Sequence, residues 1–230
     1  VIAVTDGITI RPLLPAQDHK RIGEGDTGVN TGGMGAYAPA PIMTPELLTQ
    51  VTKTVLKPTI QALRDRGIDY QGVLYAGLMI TPQGEAKVLE FNCRFGDPET
   101  QVILPLLETP LAEVIMACLE KRLHELPPLQ WSSQKALCVV AASQGYPGRY
   151  EKGKEITGIL EPKAALVFHG GTDLNETEKL VTSGGRVLGV TGLGETFVQA
   201  ADKAYSAIAQ IHFSDCYYRC DIGYRVLTKR

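Results

Sequence analysis

The chain has 230 residues, a 44% apolar fraction and a formal charge of -2, values that suit a globular protein able to bury a substantial core in one or two domains. Lys and Arg are interspersed with Asp and Glu, which excludes a general polyanion surface; no nucleic-acid partner is expected, and any phosphate must be held locally. No apolar run approaches the ~20 residues of a membrane span, and no charged segment leads a short apolar one, so a soluble, unsecreted protein without a membrane partner is expected.

Five cysteines, Cys93, Cys118, Cys138, Cys216 and Cys220, lack paired CxxC spacing. They read as reduced, buried or half-buried thiols in a cytoplasmic compartment. A zinc site at Cys216 and Cys220 lacks a second ligand pair.

In chain order, Val1–Thr5, the Asp6-Gly7 pair and Ile8–Leu13 predict a hairpin with a tight primed turn. From Gln17 to Tyr37 the glycines are too frequent and the periodicity too weak for an element, which predicts a loop. Thr44 and Pro45 read as N-cap and first helical position of a helix running to Gly67 and kinked at Pro58. Gly72–Ile80 and Lys87–Cys93 flank Pro82-Gln83-Gly84 and predict a second hairpin of largely buried strands. Thr109-Pro110 opens a helix ending near Leu123, and Leu126–Trp131 reads as a linker. Short strands follow at Ala136–Ala141, Leu166–Phe168 and Arg186–Thr191, between Gly-rich turns, and a helix runs from about Phe197 to Ile211. The expectation is α+β, with domains 1–128 and 129–230, the second β-rich.

The segment Val88–Glu99, VLEFNCRFGDPE, carries the chemistry. Strand alternation through Arg94 puts Glu90, Asn92 and Arg94 on one face and sends Leu89, Phe91 and Cys93 into the core. A carboxylate and an amide oxygen suit Mg²⁺, which completes its octahedron with nucleotide phosphates and water. A guanidinium beside them grips a phosphate bidentately. Such a triplet alone more often marks the solvated face of an edge strand. The flank shifts the balance: Pro98 of Gly96-Asp97-Pro98-Glu99 is expected at a helix N1, so free amides would point the same way.

A second group joins Asp18-His19-Lys20-Arg21 to the downstream Asn30-Thr31-Gly32-Gly33-Met34-Gly35. Dense glycines let backbone N–H groups approach an anion while the basic residues add donors. Each string alone is a weak signal.

Together, QDHKR, DTGVNTGGMGAYAPAP, LYAGLMI and VLEFNCRFGDPETQ resemble the glycinamide ribonucleotide synthetase family, and the likeness continues through GYPG, VFHGGT, SGGRVLGVTGLG and CYYRCDIGYR over nearly the whole chain. The resemblance implies the second lobe of an ATP-grasp fold followed by a small β-rich C-terminal domain. It implies a ligase that joins glycine to phosphoribosylamine through glycyl phosphate, with ATP and Mg²⁺ (Mn²⁺ as the alternative) as cofactors and only small-molecule partners, acting as a monomer. It implies Glu90 and Asn92 as metal ligands, with Arg94 beside them at the reacting centre. Asp18, His19, Lys20, Asn30, Thr31, Gly32, Gly33, Asp97, Glu99 and again Arg94 are the implied substrate contacts. The family pattern has an N-terminal portion that this chain, opening on Val1 as though in mid-strand, is expected to lack. The rivals are another ATP-grasp carboxylate–amine ligase and a non-catalytic nucleotide-binding fragment.

Overall fold

The computed structural model describes residues 1–159 and 164–227. They form two compact units, each gathered from separated stretches: 1–15, 39–96 and 106–132 in the first, and 16–38, 97–105 and 133 onward in the second. Ala16–Ala38 and Asp97–Pro105 fall in the second unit, which the chain enters for the last time at Ser133.

The first unit is built on a four-stranded antiparallel sheet in the order Ile10–Pro12, Ile2–Thr5, Gly72–Ile80, Ala86–Asn92. The first hairpin forms as the sequence suggests, but its turn is wider than a two-residue primed turn: Thr5 pairs with Ile10. The Asp6 carboxylate fills that turn, accepting from the backbone N–H groups of Ile8 at 3.0 Å, Thr9 at 2.6 Å and Leu123 at 3.1 Å. The helix after Thr44 starts as expected, with Pro45 first and the Thr44 hydroxyl accepting from the Leu47 N–H at 3.2 Å. Its interruption is a π-helical turn at Thr52–Leu56 between Pro45–Val51 and Lys57–Asp65. Pro58, lacking an N–H, follows directly, where the ladder is already re-registered. Val51, Leu56 and Ile60 from these helices close over Ala3, Leu74 and Ala76 of the sheet.

The expectation of buried strands fails for Ala86–Asn92. As the outermost strand it lies outside that core, and Leu89 and Phe91 are 65% and 45% exposed. Cys93, expected in the core, is exposed; Cys220 is exposed as well.

The second unit has a six-stranded antiparallel sheet running Ala165–His169, Arg186–Gly194, Lys135–Ser143, Gly35–Ala38, Gln17–Asp18, with Cys216–Tyr217 also paired to Lys135–Ser143. Helix Phe197–Ile208 buries Ala200, Ala204 and Ala207. These small residues match Gly192, where a Cβ would stand 2.0 Å from the Ala200 carbonyl oxygen; only glycine admits so close a helix.

The Gly-rich 17–37 segment is not the loop its composition suggests. It holds strands Gln17–Asp18, Arg21–Gly23, Thr27–Asn30 and Gly35–Ala38. Arg21 pairs with Asn30 and Gly23 with Thr27, around a turn with positive φ at Gly25, Asp26 and Gly28. The fully buried Arg219 anchors this hairpin: its guanidinium donates to Asp26 at 3.0 Å, to both Asp221 oxygens at 2.7 and 2.8 Å, and to the Arg21 carbonyl at 3.0 Å. Tyr224 and Arg225 also donate to Asp26. Burial alone would raise Asp26 and Asp221, but these donors and the neighbouring cations hold both carboxyls below their ordinary values.

Removing a buried ion's partner leaves charge uncompensated. Arg219→Met should therefore cost about 3 kcal/mol of stability, read as a lowered denaturation midpoint; a midpoint unchanged within error would show that the cluster contributes no net stability.

Candidate active site

In the first unit, Glu90 and Asn92 share one side of the outer strand, Glu90 exposed and Asn92 half-buried. Glu90 sits directly after a bulge: Leu78 pairs with Val88 and Gly77 with Glu90, so Leu89 is the extra residue. Bulges re-aim side chains beside sites, and the simple alternation across Val88–Arg94 does not hold. The strand ends at Asn92, so Arg94 lies beyond it, exposed, donating to the Phe95 carbonyl at 2.9 Å. Glu90 and Asn92 provide two hard oxygen donors on one strand side, which fits a small divalent cation that takes few protein ligands. Among the described residues no three His, Cys, Asp or Glu side chains cluster at metal-binding spacing.

The second unit brings together Gly32, Gly33 and Asp97 through a residue that the sequence reading passed over. Arg186 Nη1 donates to the carbonyls of Gly32 at 3.1 Å, Gly33 at 3.4 Å and Asp97 at 2.7 Å, and to the Asp97 carboxylate at 3.1 Å. Gly32 presses against the guanidinium, since a Cβ there would stand 2.8 Å from Arg186 Cζ. Gly33 has φ +121°, and its Cβ would stand 2.5 Å from Pro98 Cδ. Thr31 fixes the same turn, its hydroxyl donating to the Lys20 carbonyl at 3.0 Å and accepting from the Gly33 N–H at 2.9 Å. Arg186 precedes a bulge at Val187, because Arg186 pairs with Ala142 and Leu188 with Ala141.

Beside this latch lies a pocket of about 270 Å³ lined by Asp97, Gln101, Phe168, His169 and Arg186. Pro98 does not begin the adjacent helix. That helix is the short Thr100–Ile103, with Glu99 at its N-cap, and the Glu99 side chain is buried. Asp18 pairs with Lys20 at 3.2 Å, Asn30 is exposed at the end of its strand, and Arg21 donates to the Gly28 carbonyl at 2.7 Å. Signals for Arg186 and Gln101 existed in SGGR and PETQ, but neither string carries chemistry by spacing alone.

His19, an implied substrate contact, is fully buried. Its Nε2 accepts the Gly223 N–H at 3.2 Å, and Tyr37 and Tyr224 meet its ring edge-on.

These features are those of an α+β protein with oxygen donors on an edge strand and a guanidinium-latched glycine turn. Its fold is shared, at 12% identity and a TM-score of 0.65, with the biotin carboxylase domain of the Hydrogenobacter thermophilus 2-oxoglutarate carboxylase, over 94% of this chain and 46% of that one. Residues 1–100 match the family "Phosphoribosylglycinamide synthetase, ATP-grasp (A) domain" and residues 136–225 match "Phosphoribosylglycinamide synthetase, C domain". The chain belongs to the phosphoribosylglycinamide synthetase family.

A phosphoribosylamine–glycine ligase from Nostoc sp. is 68% identical over 98% of this chain and 54% of its own length. The trifunctional purine biosynthetic protein adenosine-3 of Gallus gallus is 53% identical over 99% of this chain and 23% of its own length. The crystal structure of the Thermotoga maritima phosphoribosylamine–glycine ligase superposes with a TM-score of 0.87 at 37% identity, over 96% of this chain and 54% of that one. The chain thus spans about half the length of the curated ligases it matches. Among the described residues no helix is long and apolar enough to cross a membrane.

Burial, with the charges of Arg219 and Arg225, lowers His19 from its ordinary 6.5 to about 4, against the opposing pull of Asp26 and Asp221. Below about pH 6.5 the unfolded chain takes up a proton that the folded one refuses until about pH 4, so stability falls as pH drops through that window. The loss is about 3 kcal/mol. His19→Gln should flatten the pH dependence of the unfolding free energy there by close to one proton, and a slope equal to that of the wild type would contradict the burial of a neutral imidazole.

Proposed function

We propose that the whole protein of which this chain forms part joins glycine to 5-phosphoribosylamine at the expense of ATP, giving glycinamide ribonucleotide, ADP and phosphate. The observation that carries the reading is the Glu90–Asn92 oxygen pair, set on an edge strand in a chain that is 68% identical to a ligase of this name. The reaction has two transfers. A glycine carboxylate oxygen attacks the γ-phosphorus of ATP and ADP departs; the resulting glycyl phosphate is then attacked at its carbonyl carbon by the amine of phosphoribosylamine, and as the C–N bond forms the amine gives up a proton and phosphate departs.

Little covalent work falls to the protein, whose side chains bind and orient. Glu90 and Asn92 hold Mg²⁺, or Mn²⁺ in its place, which when bound neutralises phosphoryl oxygens. Arg94, exposed beyond the same strand, offers a forked donor to an anionic substrate group. In the second unit the Asn30–Gly33 turn, with Asp18, Lys20 and Asp97, contacts substrate. His19, buried, acts by holding the Gly223 backbone, and Glu99, also buried, stands beside the Asp97 contact. The substrates are small molecules in the cytoplasm, and the protein works as a monomer.

The whole enzyme should release phosphate only when both glycine and phosphoribosylamine are present. Glu90→Ala should lower that rate by about a hundredfold or more, on the scale of losing one electrostatic stabiliser, with the thermal midpoint unchanged. Phosphate release without phosphoribosylamine, or undiminished turnover in the variant, would refute the proposal.

A further inference from the structure

The donors of Arg186 are unequally used. All four of its protein hydrogen bonds come from Nη1, so the Nε–Nη2 edge, two parallel N–H donors at the spacing of a phosphate or carboxylate, meets no protein acceptor among the described residues. A guanidinium fixed at one corner and open along that edge is preorganised to grip an anion, because its rotamer is already held before the ligand arrives. The surroundings narrow the choice of anion. The Gln101 Oε1 atom is buried and makes no hydrogen bond in the described structure, while its Nε2 donates to Asp97 at 3.3 Å. A buried acceptor without a donor is costly unless a ligand or water supplies one.

A fitting ligand therefore carries both an anionic group and hydroxyl or amine donors. The pocket of about 270 Å³, the volume of about nine liquid waters, is several times what glycine fills and matches a phosphorylated pentose. His169 stands at its rim with Nδ1 engaged by the Thr172 hydroxyl at 3.0 Å, which leaves Nε2 for a ligand. Phe168 adds an apolar flank for the carbon face of a sugar ring.

We propose that this pocket binds the phosphorylated pentosylamine substrate, its phosphate on the Nε–Nη2 edge of Arg186 beside His169 and its sugar donors toward Gln101 Oε1 and the Asp97 carboxylate. The assignment rests on the ligase reading above. Arg186 thereby binds substrate and, through Nη1, ties the Gly32-Gly33 turn to Asp97.

The test is calorimetric titration of the full-length enzyme with ribose 5-phosphate as probe, beside kinetic constants for all three substrates. Wild-type enzyme should bind the probe. Arg186→Lys, which keeps the charge and loses the fork, should weaken binding at least tenfold, about 1.4 kcal/mol, and should raise KM for phosphoribosylamine while leaving KM for ATP and glycine unchanged. His169→Ala, at an exposed position, should weaken the probe about threefold, on the scale of one hydrogen bond, and it decides the matter if Arg186→Lys does not fold. No probe binding by the wild type, affinity unchanged in His169→Ala and in any folded Arg186→Lys, or a rise instead in KM for ATP or glycine would each overturn the assignment. Probe binding through Arg186 in a protein that fails to couple phosphate release to glycine and phosphoribosylamine would sink the ligase reading and leave the pocket standing. Normal coupling with an unchanged phosphoribosylamine KM would sink the pocket alone.

Discussion

One nitrogen atom organises the candidate site of the second unit. Arg186 Nη1 reaches two glycine carbonyls, the Asp97 carbonyl and the Asp97 carboxylate within 3.4 Å, so the Gly32-Gly33 turn and the Asp97 turn, well separated along the chain, are held by a single guanidinium. The contact requires backbone with no side chain in the way. A Cβ at Gly32 would stand 2.8 Å from the guanidinium carbon and push the arginine out of its latch, and at Gly33 both the φ of +121° and the nearness of Pro98 exclude one. The density of glycine in that turn is therefore a packing requirement of the arginine as much as a device for approaching a ligand.

A second arginine, this one fully buried, secures the other side of the same segment. Arg219, between Asp26 and Asp221 with the Arg21 carbonyl as a further acceptor, joins the chain's last strand region to the Arg21–Asn30 hairpin. Around it Gly25 N–H donates to Asp221, Cys220 N–H to Glu24, and the Tyr217 hydroxyl to the Ile22 carbonyl, while His19 Nδ1 and Arg225 Nη1 are buried without a partner among the described residues. The pairing of the Arg219 guanidinium itself is what lets its charge sit at zero exposure. His19, neutral within the cluster, adds an acceptor for Gly223 without adding a charge that would need compensation. The run Cys216–Arg225 is thus chemically dense because it closes a network.

Much of the fold was legible where periodicity and caps were strong. Thr44-Pro45 opened its helix, Arg186–Thr191 lay inside a strand that continues to Gly194, and Phe197–Ile208 was a helix with its small-residue face inward. The 17–37 segment was misread because glycines at positive-φ turn positions mask strands only two to four residues long. That Glu90 and Asn92 share a strand side was legible from their spacing, but the inward set of Leu89, Phe91 and Cys93 was not: a bulge at Leu89 breaks the alternation, and the strand lies at the sheet edge. Arg186 was invisible as a site residue because its partners are mainly backbone carbonyls far away in sequence, which leave no motif. Arg219 has one acidic partner close by in Asp221, but its other partners, Asp26 and the Arg21 carbonyl, are distant along the chain.

The division of labour within the Arg186 guanidinium is the claim on which the site in the second unit stands, and side-chain ¹⁵N NMR reads it directly. With ribose 5-phosphate titrated into the full-length enzyme, the Arg186 Nε–H resonance should move and its proton should become protected from exchange, while the Gly32 and Gly33 amides stay close to their free positions because Nη1 already holds that turn. An Nε–H signal indifferent to the sugar phosphate, or a turn that orders only when the ligand arrives, would contradict the account.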